Sequence, residues 1–490
     1  MELVGVNGDA LPARLGRLER LRLRALTTDR IVYATATAYA LLFVFAAGAH
    51  WFAYQAGLTD LGSMAQALWS SAHGHLLHFT SQDGKTAGIR LGSHVDPILL
   101  AFVPLWWIWS SPLMLLVVQA IAVSAGALPV FWLGRKHLAS ERAAMFFAFA
   151  YLLYPATQFN TFTIAVGFHA VSLAIPLLLL AIWFLDEERL LAFAIVAVLA
   201  VMCKEEIAAA IGCLGIWYAI RKGHRAVGAT ICVVGLAISA FEFAVVIPHF
   251  AKGGVDPFAY RYAAVGSTPG GILHKAVTDP GAIVHAVVTG HKLAYLAVLF
   301  LPFLGLWAFE PLLLLGALPD LAINLLSSKG DQTSIPYHWT AGIVPFVVAA
   351  SVMGAARIKR DPSELAAVAL IAVGLVALYS PIYFVGHDVR LALPSSTRTA
   401  KSHALALVPQ GASVTASEQL AGYLSSRREI YVFPRGLNAA WAVIDRNDSS
   451  YQDVASSYRR SVARLNANPY WTVVYASHGV EVLRRKEIAR

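Results

Sequence analysis

"IVYATATAYALLFVFAAGAHWFAYQAGLTDLGSMAQALW" runs from Ile31 to Trp69. Its first part, Ile31 to His50, carries no acid, lysine or arginine and is about as long as the 20 residues a helix needs to cross a bilayer core. Asp60 then opens a polar stretch with helical spacing of its own, in which Leu61, Met64, Leu68 and Leu76 with Trp69 predict a helix lying at the membrane interface. A span followed at once by a patterned polar segment predicts a membrane protein with a built structure at the mouth of its first helix.

Composition agrees. The chain has 490 residues, 58% hydrophobic and 14% charged, with a mean hydropathy of +0.61. A soluble domain is about half apolar and about a quarter charged, so this apolar surface exceeds what one water-soluble core can hide. Helices satisfy their own backbone hydrogen bonds in lipid, which makes an all-α polytopic protein the expected class. The net charge of +9 does not point to nucleic acid, because the arginines lie in short clusters between apolar runs rather than in a compact basic domain. Cys203, Cys213 and Cys232 all lie in or beside apolar runs, so no disulfide framework or zinc spacing is expected.

Residues 1–30 hold Arg14, Arg17, Arg20, Arg22, Arg24 and Arg30 and lack a cleavable signal. They are expected to form a cytoplasmic basic arm, with Leu11, Leu15, Leu18 and Leu26 as the stripe of a helix on the membrane surface. Further apolar runs follow to residue 385. "SSP" at 110–112 splits a short interfacial or re-entrant piece from a full span that ends at "GRKH", 134–137. Counting the remaining runs gives about 11 spans in 31–385. Arg135–Lys136, Arg221–Lys222–Arg225 and Arg357–Lys359–Arg360 all come out on the side of the arginine-rich N-terminus, as positive-inside loops should. The loop 51–96, the 157–168 turn, 249–290, 327–338 and the junction "CKEE" (203–206) then face outward. The tail 386–490 is less apolar and broken by turn signals, predicting a small extracytoplasmic α/β domain. The expected location is a bacterial plasma membrane.

The outward segments carry the candidate chemistry. Asp60 reads as an N-cap, as a general base beside a membrane pocket, or as both. His73, His75 and His78 lack a clean metal spacing and fit interfacial solvation. His94 and Asp96 suit a boundary, or a pair that handles a phosphate or a proton. Charges at "CKEE" are costly near lipid. Lys204 suits a phosphate oxygen, Glu205 or Glu206 a base or a metal, and a Lys–Glu pair in a turn explains the same residues. Arg261, between tyrosines, suits a diphosphate clamp or a snorkelling side chain. Asp320 and Asn324 share a helix face and suit mutual hydrogen bonding. His338, beside Trp339, suits an anchor or a pocket wall. Gln66, Trp69 and His169 are further candidate pocket residues. No P-loop, GxSxG, HExxH or Rossmann fingerprint is present. No motif requires a cofactor, and a divalent cation at the carboxylates stays open.

"TDLGSMAQALW", "GSHVDPILL", "FHAVSLAIPLLLLAIWFL", "CKEE", "RYAAVGSTPGGIL", "LPDLAINLLSS" and "YHWTAGIVPF" together resemble a bacterial and archaeal family of predicted membrane proteins, itself similar to the GT-C glycosyltransferase superfamily. The resemblance covers about residues 35–360. It implies an inverting transferase that takes a sugar from a polyprenyl-phosphate donor on the outer face and passes it to a glycan, lipid or protein. Asp60 matches the catalytic acid of the first outer loop. His94, Lys204, Glu205, Asp320 and His338 match family positions. The second acid of that loop is replaced by Ala65, and Ala170 and Val171 follow His169 where the family has an acid. The alternatives are a lipid-linked-sugar binder or transporter, with charges spread through the membrane depth, and a scaffold without catalysis.

Overall fold

The computed structural model describes residues 10–82, 88–162, 167–378 and 382–486; the side chains of 10–26 and 382–385 lie outside it. The expected stripe of Leu11, Leu15 and Leu18, with Leu26, therefore falls outside the described residues. One unbroken helix, Ala10–Phe52, runs through both the basic arm and the first span.

The membrane part is a helical bundle. Its centre is the helix Val344–Ala355, buried at every position, as expected for a helix that is apolar all round. The helices Ala127–Leu138, Glu141–Leu153 and Ala174–Asp186 and the turns Leu306–Phe309 and Leu313–Ala317 pack around it. The predicted break at 110–112 is present: Pro97–Ile108 is a short apolar piece and Leu113–Leu138 a long one. Among the described residues three helices are long and apolar enough to cross a membrane, or four if the bent pair Pro280–Val287 and Gly290–Phe303 counts as one, and seven more are shorter apolar helices. The expected count of about 11 is not reached by length and composition, because turns and prolines cut several apolar runs into pieces of fewer than 18 residues.

Two poles of charge close the bundle. At one, Asp186 accepts from Lys136 (2.7 Å), His137 (2.9 Å) and Lys222 (2.9 Å). Arg135 meets Asp29 at 2.7 Å, and Glu310 holds Arg221 and Arg357. The three basic clusters that the sequence assigns to one side thus meet at one end. At the other end lie the loop after Phe52 and the C-terminal domain. Asp29 and Phe52 are 23 residues apart on one helix, about 35 Å, slightly more than the roughly 30 Å of a hydrocarbon core.

The helices Ile207–Arg221 and Arg225–Phe241 form a hairpin with a glycine seam. A Cβ on Gly215 would lie 2.5 Å from the Gly228 carbonyl oxygen, and one on Gly235 would lie 2.6 Å from the Gly212 nitrogen. Such close approach is how helices associate where lipid removes the hydrophobic drive. This seam fixes the N-terminal end of the hairpin, where Lys204 and its two glutamates sit.

The C-terminal domain has five strands: β1 Val414–Ala416, β2 Ile430–Val432, β3 Trp441–Asp445, β4 Trp471–Ser477 and β5 Val480–Arg485. Their order is β2-β1-β3-β5-β4, with β1 parallel to β2 and β3 and the other pairs antiparallel. Alternation along β3 sends Val443 to one face and Ala442 and Ile444 to the other, as a strand's period of two requires. The helix Ser396–Ala406 covers the first face and Ala455–Asn466 the second.

We expect Gly215→Val to lower stability by about 1–3 kcal/mol through overpacking of the seam, read as a lower melting temperature in detergent. Gly290→Ala, with nothing within 4 Å of the new Cβ, should melt like the wild type.

Candidate active site at the bundle mouth

The chain after the first helix does not form the interfacial helix that the leucine spacing predicts. Leu58–Gly62 is a π-helical turn, and Ser63–Ala72 is an α-helix whose side chains are buried except for Trp69 and Ala72. Leu76 lies beyond that helix and is exposed. The reason is the C-terminal domain, which covers this segment. Leu58 belongs to that domain's apolar core. The Thr59 N–H donates to Glu418 Oε1 at 2.7 Å, Gln419 Nε2 donates to Gln55 Oε1 at 2.8 Å, and Tyr423 Oη donates to the Trp51 carbonyl. Gly62 and Gly422 face each other so closely that a Cβ on Gly62 would lie 3.1 Å from Gly422 Cα.

Asp60 sits inside the π turn and does not cap the following helix, whose N-terminus has no side-chain cap. Its carboxylate turns instead to His169 Nε2, 3.7 Å away, and stays a quarter exposed. His169 stacks on His338, with ring centres 3.4 Å apart, and His338 packs on Trp339. A narrow cavity of about 10 Å³ lies beside these rings, bounded also by Arg90, His94, Asp96 and Lys204.

The His94–Asp96 pair suggested by spacing is split. His94 Nδ1 bonds Glu205 Oε1 at 2.9 Å, and the other Glu205 oxygen accepts the Val95 N–H at 2.9 Å. Asp96 bonds Arg90 Nε at 2.6 Å. Sequence reading passed over Arg90, because a single arginine in a polar loop carries no pattern. Lys204 bonds Glu206 at 2.6 Å and lies over the Trp339 ring. Arg261 is buried, which excludes snorkelling, and its guanidinium stacks over Phe258 (4.1 Å) and Trp339 (5.5 Å). Phe258 also stacks on His94. Arg261 has no carboxylate within 4 Å among the described residues, unlike Arg90 and Lys204.

Asp320 and Asn324 do not bond each other. Asp320 accepts the Gly342 N–H at 2.7 Å, while Asn324 donates to Tyr295 Oη and the Trp339 carbonyl. Both therefore brace the loop that carries His338. Gln66 lies outside the cavity: it bonds Thr80 and the Arg427 and Arg428 carbonyls and so ties the first loop to the C-terminal domain. Trp69 packs on His73, and neither lines the cavity. His73, His75 and His78 are exposed, as solvated histidines should be. No group of three or more metal-ligating side chains occurs among the described residues.

The electrostatics of the mouth are those of a half-satisfied polar cluster. Burial opposes charge on Asp60, but His169, Arg90 and His94 overcome it and hold the carboxyl below its usual range. Burial, with Lys204 and Arg90, pushes the His94 imidazole well down. Burial, with His169 and Lys204, does the same at His338. Asp96 Oδ1, His169 Nε2, Glu206 Oε2, Arg261 Nε and His338 Nδ1 are buried without a hydrogen-bond partner. Most buried polar atoms in proteins are paired; three of these five, on Asp96, His169 and His338, belong to residues that line the one cavity, which favours a polar ligand over structural pairing.

Glu418 is the other residue sequence reading missed. It lies about 360 positions from Asp60 and reaches the Asp60 turn only because the C-terminal domain folds back on it. Burial pushes its carboxyl up, against the pull of the Thr59 bond.

A multi-helix membrane bundle with a buried polar cluster at one mouth and a small sheet domain docked over it is the class of protein this architecture defines. Its fold is similar to that of ArnT from Cupriavidus metallidurans. The crystal structure bound to undecaprenyl phosphate matches with a TM-score of 0.53 at 12% identity, over 91% of this chain and 98% of that one. The apo structure matches with a TM-score of 0.53 at 12% identity, over 92% and 98%. The chain belongs to the DUF2079 family of predicted membrane proteins, which it matches over residues 51–482. No protein of curated function matches the sequence.

His94 and His338 are neutral when folded and take up protons on unfolding once the pH drops below 6.5, the ordinary imidazole value. The unfolded chain then binds more protons, so stability falls as pH falls. Melting in detergent should drop between about pH 7.5 and about pH 5.5 and drop less steeply in His338→Phe; equal slopes would show that His338 does not titrate this way.

Proposed function

We propose that the protein is an inverting glycosyltransferase that moves a sugar from a polyprenyl-phosphate donor to a cell-envelope acceptor on the outer face of a bacterial plasma membrane. The pole of Asp186 and Glu310 supports this sidedness: its lysines and arginines read as positive-inside loops, which puts the Asp60 mouth and the C-terminal domain outside in this proposal. The observation that carries the reading is the set of unpaired buried polar atoms beside Asp60, at the end of the bundle where a lipid headgroup would sit. The ArnT fold, whose solved structure holds undecaprenyl phosphate, supports a donor of that class.

In the proposed reaction the Asp60 carboxylate accepts the proton of an acceptor hydroxyl. The hydroxyl oxygen bonds to the anomeric carbon, the bond from that carbon to the phosphate oxygen breaks, and its electron pair leaves with the polyprenyl phosphate. Asp60 is ionised at neutral pH, the form a base needs. Arg261, buried and without a carboxylate partner, takes the phosphate, while Lys204 and Arg90 add fixed positive charge close by. Glu418 is a positioning residue, since it holds the N–H of Thr59, next to Asp60. The cavity is narrow, so a donor headgroup has to part the surrounding side chains to enter. A transporter would spread its charges across the membrane. Asp320, although set in an apolar run, accepts the Gly342 N–H in the loop after His338 and so belongs to the same mouth.

Transfer from radiolabelled polyprenyl-phosphate sugars in membranes tests the reading. Asp60→Asn should lower the rate about 10²–10⁴-fold, the usual worth of a general base, without lowering expression; full activity would remove Asp60 as the base. Glu418→Ala should lower kcat more than it raises KM, while Glu418→Gln, which still offers Thr59 an acceptor, should keep most of the activity. Equal rates in the two variants would remove the positioning role.

A further inference from the structure

A second, larger cavity lies in the C-terminal domain, away from the cluster just described. It is a groove of about 570 Å³ between the turn after β3 and the helix Ala455–Asn466, within the roughly 300–1,000 Å³ of small-molecule sites. We propose that this groove seats the acceptor as an acidic oligosaccharide; this deepens the transferase reading and rests on it.

Position is the first argument. Two groove residues, Asp448 and Ser449, bond the backbone N–H and the side chain of Gln419, at 2.9 and 2.8 Å. The same Gln419 side chain bonds Gln55, and its neighbour Glu418 bonds Thr59, the residue before Asp60. One layer of residues therefore separates the groove from the turn that carries the proposed base. An acceptor chain seated here could send its terminal hydroxyl over that layer.

Chemistry is the second argument. The Tyr451 and Tyr458 rings stack 3.9 Å apart at 14° and both line the groove. Their hydroxyls are already committed, Tyr451 to the Phe433 carbonyl and Tyr458 to the Asp445 carbonyl, each at 2.7 Å. Tyr458 is buried, so the half-buried Tyr451 stacked on it is the ring held as a fixed platform, of the amphipathic kind that carries polar ligands at little entropic cost. The groove's charges are mostly spent. Asp448 accepts the Gln419 and Ser450 N–H groups, and Arg446 pairs with Glu481. The exception is Arg459. It lines the groove, is exposed, bonds only the Ala455 carbonyl at 3.3 Å and has no carboxylate within 4 Å among the described residues. A flat aromatic wall beside one unspent guanidinium suits a hydroxylated ring bearing a carboxylate.

The test is calorimetric binding to the full-length protein in detergent, with trigalacturonate as probe and maltotriose and adenosine monophosphate as controls. Trigalacturonate should bind more tightly than either control and at least about tenfold more weakly to Arg459→Glu, the worth of one charge-assisted hydrogen bond. Arg459 is exposed, so the variant should fold; an unchanged melting temperature checks this. Asp60→Asn should bind trigalacturonate like the wild type, so a failed base and a failed groove give different results. Equal binding of trigalacturonate and maltotriose, tighter binding of the nucleotide, or wild-type affinity in Arg459→Glu would each overturn the proposal.

Discussion

The short bond from the Thr59 N–H to Glu418 Oε1 is the contact on which the site depends. A turn of five residues at the end of a membrane helix has no partner of its own for every backbone group, and an exposed loop of this kind would wander. Here the C-terminal domain supplies the missing acceptor, receives Leu58 into its core, and meets the turn glycine to glycine at Gly62 and Gly422. Asp60 is held in one direction because its neighbours on both sides are held. The sheet domain is thus part of the site although none of its residues lines the cavity beside His169.

The second constraint is the cost of charge near lipid. Ionisable groups crowd the mouth, and the cations Arg90 and Lys204 are neutralised locally, by Asp96 and Glu206, while Glu205 is hydrogen-bonded to His94 and the Val95 N–H. Each pair is largely buried, where losing one partner leaves the other charge uncompensated. The pairing also explains why the sequence order of the charges is a poor guide to their contacts. Glu205 turns to His94 while Lys204 and Glu206 on either side of it pair with each other, and His94 and Asp96, two apart, bond different partners.

That is the limit of what the sequence made legible. The helical class, the break at 110–112, the α/β tail and the gathering of basic loops at one pole were readable, because apolar length, turn residues and arginine spacing are local signals. Asp60, His94, Lys204, Arg261 and His338 were found as individuals for the same reason: each is a polar residue where polarity is expensive. Apart from the Lys204–Glu206 pair, which the turn at 203–206 suggested, their partners were not readable. Arg90 and Glu418 look ordinary in sequence, Gln66 looks like a pocket residue and serves as a tie, and Asp320 looks like a partner for Asn324 and braces Gly342. The leucine pattern of 61–68 predicted an interfacial helix because periodicity shows that a face is buried, not what buries it.

The turn that carries Asp60 closes with bonds five residues apart, from Gly62 back to Gly57 and from Ser63 back to Leu58. An ordinary helix closes at four. The aim of the carboxylate therefore resides in a count of residues as well as in the residue itself. A relative that kept the aspartate but dropped one position from this segment would regain a regular helix and carry its acid on a different bearing, about a quarter of a revolution away. Inheritance of the side chain and inheritance of its direction are separate matters in this fold.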